Sequence, residues 1–250
     1  MEKLSLKEIR ANAKAALKNQ WGISIAIIIV SSLLIGFGQF IINLVGMASS
    51  LLFHASEHPV LAQLGGTSTT GAFLFSFSLV ITTGVSWAFL DLADGKKVKL
   101  EDIFAGFKNF WKVVGVNLLM AVFTFLWTLL LIIPGFIKIY SYSQTLFILK
   151  EQPEIKVMEA ITKSKLMMKG NKMRLFLLNL SFAIWYIPAG IILGIAFYKL
   201  STQFDFLNAI GLAFGALIYA LGISIYLKPY MATAAGSFYR QVLKEMENKI

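Results

Sequence analysis

From Gly22 to Val45 the chain carries no charged residue, and a lysine-rich segment closes that run on its N-terminal side. Comparable apolar runs recur near 71–92, 113–134, 175–198 and 206–227. In hydrocarbon a backbone must satisfy its own N–H and C=O groups, so such runs cross as helices. About 20 residues suffice for one crossing. The pattern predicts an all-α, polytopic helical membrane protein, with 1–250 as a single domain.

Composition agrees. Hydrophobic residues make up 57% and charged residues 14%, against about 25% charged in soluble domains. Mean hydropathy is +0.72. The sequence contains no Cys, which excludes disulfides, thiolate metal sites and a cysteine nucleophile. A cleavable leader is not expected, because the first apolar run is too long and follows a helix-forming stretch. Net charge is +10. The basic residues flank apolar runs in short segments without a recognition module. They therefore point to anionic lipid headgroups and away from nucleic acid.

Three polar segments read as amphipathic helices beside the membrane, near 4–20, 99–112 and 153–172. In the first, Leu6, Ile9, Ala13 and Leu17 recur at helical spacing beside a stripe of Lys7, Arg10, Lys14 and Lys18. Ser5 and Glu8 have capping-box spacing, and Trp21 is a membrane-interface residue. This segment is expected to lie on the bilayer surface with its basic residues at lipid phosphates. In the second, Leu100, Ile103, Phe104, Phe107, Phe110 and Trp111 share a face, and Trp111 is a second expected surface contact. In the third, Pro153 suits a first helical turn.

Pro134-Gly135 is a strong turn signal, followed by a short apolar stretch, 136–149. If that stretch did not cross, the basic residues from Lys150 to Arg174 would face away from the other basic segments, against the positive-inside tendency. It is therefore expected to be a short fourth crossing. The expectation is six transmembrane helices in three hairpins, near 22–45, 71–92, 113–134, 136–149, 175–198 and 206–227. Both termini then lie on the cytoplasmic side of the cell membrane. Of the 23 Lys and Arg, only Lys138 and Lys199 fall outside the basic segments, near outer span ends.

The basic segments resemble one another: LKEIRANAKAALKNQWG, LEDIFAGFKNFWKVVG and VMEAITKSKLMMKGNK. Each has an acid early and lysines late, an order that suits the helix dipole. They suggest a unit of surface helix plus hairpin used three times.

Candidate chemistry is thin. His54, Glu57 and His58 match H-x-x-E-H, a zinc-peptidase spacing. No third ligand is evident, and Pro59 interrupts the helix that spacing needs. A polar loop over 46–70 is the stronger reading, and no metal or cofactor is expected. Gly190 and Gly194, and Gly211 and Gly215, are G-x-x-x-G pairs suited to close packing of the last two spans. Pro134, Gly135 and Pro188 mark helix breaks. No Asp, Glu or Arg falls near mid-span, which argues against ion-coupled transport. The amides Gln39, Asn43, Asn117, Gln144 and Asn179 are expected to bond between helices.

Four stretches carry a family resemblance: LKEIRANAKAALKNQWG, IFAGFKNFWKVVGVNLL, LWTLLLIIPGFIKIYSYS and EAITKSKLMMKGNKMRLFLLNLSF. They resemble a family of uncharacterised bacterial integral membrane proteins, domain of unknown function 975, common in Gram-positive bacteria. The resemblance covers nearly the whole chain and is weakest at 46–70 and 195–225. It implies a multi-span protein of the cytoplasmic membrane, similar in outline to the membrane domains of some glycerophosphodiester phosphodiesterases. The phosphodiesterase domain is missing here, so that activity is not implied. No functional residues are implied either.

The expectation is a non-enzymatic accessory, envelope-stress or immunity-type factor acting through lipid and partner contacts. The alternative is a transporter or lipid flippase with a cavity near the Pro134-Gly135 hairpin.

Overall fold

The computed structural model describes residues 5–53, 59–203 and 206–248, with side chains described except at 46, 49–53, 59–70 and 203. Among the described residues the regular elements are all helices. In chain order the helices are α1 (Leu6–Leu17), α2 (Trp21–Phe53), α3 (Pro59–Ala93), α4 (Phe110–Leu130), α5 (Ile132–Tyr142), α6 (Thr145–Glu151), α7 (Val157–Met167), α8 (Lys172–Ala183), α9 (Ile187–Gln203) and α10 (Phe206–Glu247). A 3-10 segment, Leu100–Asn109, precedes α4, and a short one, Ile184–Tyr186, joins α8 to α9. Among the described residues, five helical stretches are long and apolar enough to cross a membrane: Trp21–Val45, Gly71–Ala93, Leu100–Leu130, Lys172–Thr202 and Phe206–Glu247.

The main buried core lies at one end. Ile9 and Ala13 of α1, Trp87 and Leu90 of α3, Phe147 and Ile148 of α6, and Phe238 and Tyr239 of α10 share one core. Beyond that end the long helices expose their large apolar side chains, among them Phe37, Phe125, Phe197 and Phe214. Water would penalise such exposure, whereas acyl chains would not.

Several elements differ from the sequence expectation. The first basic segment does form a helix, α1, started by a capping box in which Ser5 and Glu8 bond reciprocally. Its apolar stripe does not face lipid, because Ile9, Ala13 and Leu17 are fully buried within the protein. The 46–70 stretch is largely helix: α2 continues to Phe53 and α3 begins at Pro59. His54, Glu57 and His58 lie outside the described residues. α7 begins at Val157, leaving Pro153 in the turn after α6. The last span continues through Pro229 to Glu247 as one helix. Proline removes one backbone bond, but the turns on both sides are anchored by buried Leu227, Thr233 and Ala234.

The second basic segment is a 3-10 helix rather than an α-helix. A 3-10 helix has three residues per turn and stacks i on i+3. Phe104, Phe107 and Phe110 accordingly form a ladder, with ring centroids 6.1 and 6.0 Å apart. Two glycines allow the segment to lie directly on α3. A Cβ at Gly84 would come within 1.9 Å of the Ile103 carbonyl oxygen, and one at Gly106 within 2.7 Å of the Val80 carbonyl oxygen. Leu100, Phe104 and Trp111 remain exposed, Trp111 at 82%.

The turn expected at Pro134-Gly135 comes earlier. Leu131 is extended (φ −157, ψ 133) and separates α4 from α5. Pro134 sits in the first turn of α5, where its missing N–H costs little. Gly135 abuts Thr128 so closely that a Cβ would fall 2.2 Å from its Oγ1. The apolar stretch 136–149 is not one helix, for it breaks at Ser143-Gln144 into α5 and α6. The two together run antiparallel along α4: Lys138 lies over Trp127, Tyr142 meets Phe123, and Lys112 Nζ donates to the Pro153 carbonyl.

Candidate functional site

At the buried end, α3, α6 and α10 meet in a cluster of charges. Arg240 donates to Asp94 through Nε at 2.5 Å and through Nη2 at 2.6 Å, and its Nη1 donates to Glu151. Tyr239 donates its hydroxyl to the same Glu151. One turn away, Lys150 Nζ lies 2.6 Å from Asp91 Oδ2, and Lys96 Nζ lies 2.8 Å from Asp91 Oδ1. Lys150 also donates to the Trp87 carbonyl at 2.5 Å, and Trp87 Nε1 returns a bond to the Leu146 carbonyl at 2.8 Å.

Burial pushes the Lys150 ammonium below the usual lysine range, an effect opposed by its bond to Asp91. The exposed Lys96 ammonium is raised instead, because its bond to Asp91 dominates there. Asp91, Asp94 and Glu151 are matched by Lys96, Lys150 and Arg240, so the cluster is neutral. Every carboxylate in it is engaged by a cation, which suits a clamp more than a catalytic base. A second tie joins α8 to α10, where Arg174 Nη1 lies 3.0 Å from Glu245 Oε1.

The connection leading out of α3 is pinned too. Gly95, at φ 78, closes α3 with a pair of bonds: Lys96 N–H to the Asp91 carbonyl and Gly95 N–H to the Leu92 carbonyl. This is the Schellman arrangement, which favours glycine. Gln20 then holds the loop with its whole amide: Nε2 donates to the Lys96 carbonyl and Oε1 accepts from Val98 N–H, both at 2.9 Å.

With Asp91, Asp94, Glu151 and Glu245 engaged inward, exposed lysines outnumber exposed acids on the outer face of this end. Lys7, Lys14, Lys18, Lys108, Lys165 and Lys169 are exposed, and no acid pairs with them among the described residues. Arg10 is half-buried, and its carbonyl accepts the Tyr230 hydroxyl at 3.1 Å. Trp21 stacks on Tyr226 at 4.8 Å, so it packs against protein on that side.

An open groove of about 580 Å³ lies between α4 and the α5–α6 leg, bordered by Asn117, Thr124, Thr128, Tyr142 and Ser143. Asn117 bridges to α3, donating to Thr83 Oγ1 at 3.3 Å. Gln39, by contrast, bonds Asn43 within its own helix at 3.4 Å. The break between α5 and α6 is closed by hydroxyls. Ser164 Oγ donates to the Ser141 carbonyl at 2.9 Å and accepts from Gln144 N–H at 3.2 Å, and Thr145 Oγ1 donates to the Tyr142 carbonyl at 2.7 Å.

The glycines expected to pack the last two spans do not touch a neighbour: a Cβ at Gly190, Gly194, Gly211 or Gly215 would meet nothing within 4 Å. Within the expected spans 175–198 and 206–227 the buried small residues are instead Ala189, Ala196, Ala209 and Ala216. Pro188 stands at the second position of α9, just after the 3-10 turn that separates it from α8.

The sequence does not announce the clamp: Asp91, Asp94 and Glu151 lie near lysines at the ends of apolar runs, and pairings as distant as Asp94 with Arg240 leave no local signal. Among the described residues, no group of three or more His, Asp or Glu is placed to hold a metal ion.

No curated protein matches the chain, and no solved structure does. The family described as "Protein of unknown function (DUF975)" matches residues 1–142 and 129–246. Those matches take in both the buried clamp and the long apolar helices, and the chain belongs to the DUF975 family.

Proposed function

We propose that the chain is a non-enzymatic integral membrane protein whose lysine-rich face holds the anionic headgroups of the cytoplasmic leaflet. It would serve as an accessory, envelope-stress or immunity-type factor through those lipid contacts and a protein partner. The observation that carries this reading is the division of charge at the buried end. Asp91, Asp94, Glu151 and Glu245 turn onto Lys96, Lys150, Arg174 and Arg240, and at the surface the exposed lysines, Lys7, Lys14, Lys18, Lys165 and Lys169 among them, outnumber the exposed acids Glu8, Glu101, Glu154, Glu159 and Glu247. Juxtamembrane lysines of this kind are attracted to anionic leaflets. The same charge pattern supports a cytoplasmic position for both termini.

The test is to reconstitute the protein in nanodiscs of mixed phosphatidylglycerol and phosphatidylcholine and weigh the lipid retained. Enrichment of the anionic lipid, reduced by joint Lys7→Gln, Lys14→Gln and Lys18→Gln substitution, is expected. Equal retention of both lipids would sink the reading. For the cellular role, deletion of the gene should weaken envelope integrity or resistance to membrane-active peptides.

The groove beside α4 favours a second reading, transport or lipid flipping, since interrupted helices can line a cavity. It predicts that vesicles containing the protein move labelled lipid faster than empty vesicles do.

A further inference from the structure

The α4–α5 hairpin ends in a wholly apolar tip. Leu129, Leu130, Leu131, Ile132 and Ile133 are 66–74% exposed. Immediately behind the tip stand lysines. Phe136, Ile137 and Tyr140 share a cleft of about 310 Å³ with Lys172, Met173 and Phe176 of α8. Tyr140 meets Phe176 edge-on at 5.9 Å. Lys138 lies over the Trp127 ring at 4.1 Å and within electrostatic reach of Lys165 and Lys172. Lys165 and Lys169 are exposed.

These ammonium groups fix how deep the hairpin can go. Charges at the centre of the hydrocarbon are strongly disfavoured, so the α7–α8 turn belongs at headgroup level, and the Phe136–Tyr140 segment packed against it belongs there too. From Phe136 to the hinge at Leu131 is about five residues, roughly 8 Å along a helix. The hydrocarbon core is about 30 Å thick. The tip therefore cannot reach the far side.

We propose that the α4–α5 hairpin does not cross the membrane but is a wedge one leaflet deep. Its apolar tip sits among the acyl chains of anionic phospholipid, and Lys138, Lys165, Lys169 and Lys172 ring it at the phosphates. The proposal rests on the reading of the chain as membrane-spanning, and it replaces the expected third and fourth crossings. Removing a pair of crossings keeps both termini on one side. It also moves Lys138, which six crossings would strand at an outer span end, to the same side as the other basic segments. An apolar wedge in one leaflet spreads the headgroups there without opening a path through the bilayer.

The test needs no variant. Sealed vesicles of the native protein, right-side-out and inside-out, are treated with a membrane-impermeant amine-reactive ester, and the modified lysines are quantified by peptide mass spectrometry. Lys199 and Lys244 mark the two faces. The expected result is that Lys138 reacts from the Lys244 face, in parallel with Lys165. Reaction from the Lys199 face would overturn the wedge in favour of a crossing. So would failure to react from either face, because Lys138 would then lie within the hydrocarbon. Lys199 and Lys244 reacting from the same face would remove the membrane-spanning reading itself, and the wedge with it.

Discussion

Arg240 grips Asp94 with two parallel bonds, Nε to Oδ1 at 2.5 Å and Nη2 to Oδ2 at 2.6 Å, and in doing so fixes α10 against the end of α3. The guanidinium fork matches a carboxylate in a way that an ammonium cannot. Both side chains are less than a third exposed. Breaking a buried pair costs about 3–5 kcal/mol, a figure reduced where solvent screens the charges. Arg240→Ala should therefore lower stability by about 2 kcal/mol, and Arg240→Lys should recover only part of that loss. Thermal unfolding of the detergent-solubilised variants measures both. An unaltered melting temperature for Arg240→Ala would show that the clamp holds nothing together.

Glycines separate into two kinds. Gly84→Ala forces a Cβ onto the Ile103 carbonyl oxygen, and overpacking of this sort costs about 1–3 kcal/mol or more. Gly190→Ala and Gly215→Ala meet open space. Exchanging glycine for alanine within a helix there favours the helix by up to about 1 kcal/mol. Melting temperatures should fall for the first and hold or rise for the others. A fall at Gly215 in the solubilised monomer would restore that glycine to a packing role.

Helix α1 docks on protein through Ile9, Ala13 and Leu17, all fully buried. Truncating a buried Ile or Leu costs about 2–5 kcal/mol. Ile9→Ala should then destabilise the fold and leave the ratio of retained anionic to neutral lipid unaltered, the reverse of the pattern expected for Lys14→Gln. A change in lipid ratio at unchanged stability would mean that the stripe faces the bilayer after all.

The start of α1 carries a pH dependence. The Glu8 carboxylate accepts from Ser5 N–H at 2.5 Å, and that bond, followed by the one involving the Ser5 hydroxyl, holds its pKa below the ordinary glutamate value of 4.5. A carboxylate depressed on folding adds stability that is fully present above its unfolded value and is lost as pH falls through the folded one. The carboxyl carbon of Glu8 should titrate with a midpoint under 4.5 by NMR. Ser5→Ala should raise that midpoint and weaken the helix by about 1 kcal/mol.

Much of the architecture is local and was therefore readable in the chain. Uncharged runs have one satisfactory backbone solution in lipid, the helix, and Gly22–Val45 announces it without reference to any other segment. The capping box at Ser5 and Glu8 and the interruption near Pro188 are likewise set by residues within a few positions of one another. What only the tertiary structure decided is pairing at long range. Periodicity gives α1 an apolar stripe but not its occupant, because protein and lipid are equally apolar; contact with the core settles that Ile9 and Leu17 face protein. Gly190 and Gly194 carry the close-packing spacing yet meet open space, whereas Gly84 and Gly106, which share no motif, make the close approach because the Leu100–Asn109 segment lies across α3. Pro134-Gly135 signals a turn, yet the hinge falls at Leu131, since Gly135 is needed to pass Thr128. Asp91, Asp94 and Glu151 stand beside lysines in the sequence and read as solvated flanks. Folding carries Arg240 to Asp94 and Glu151, and Lys150 to Asp91, because charges drawn out of water toward a core are stable there only when paired.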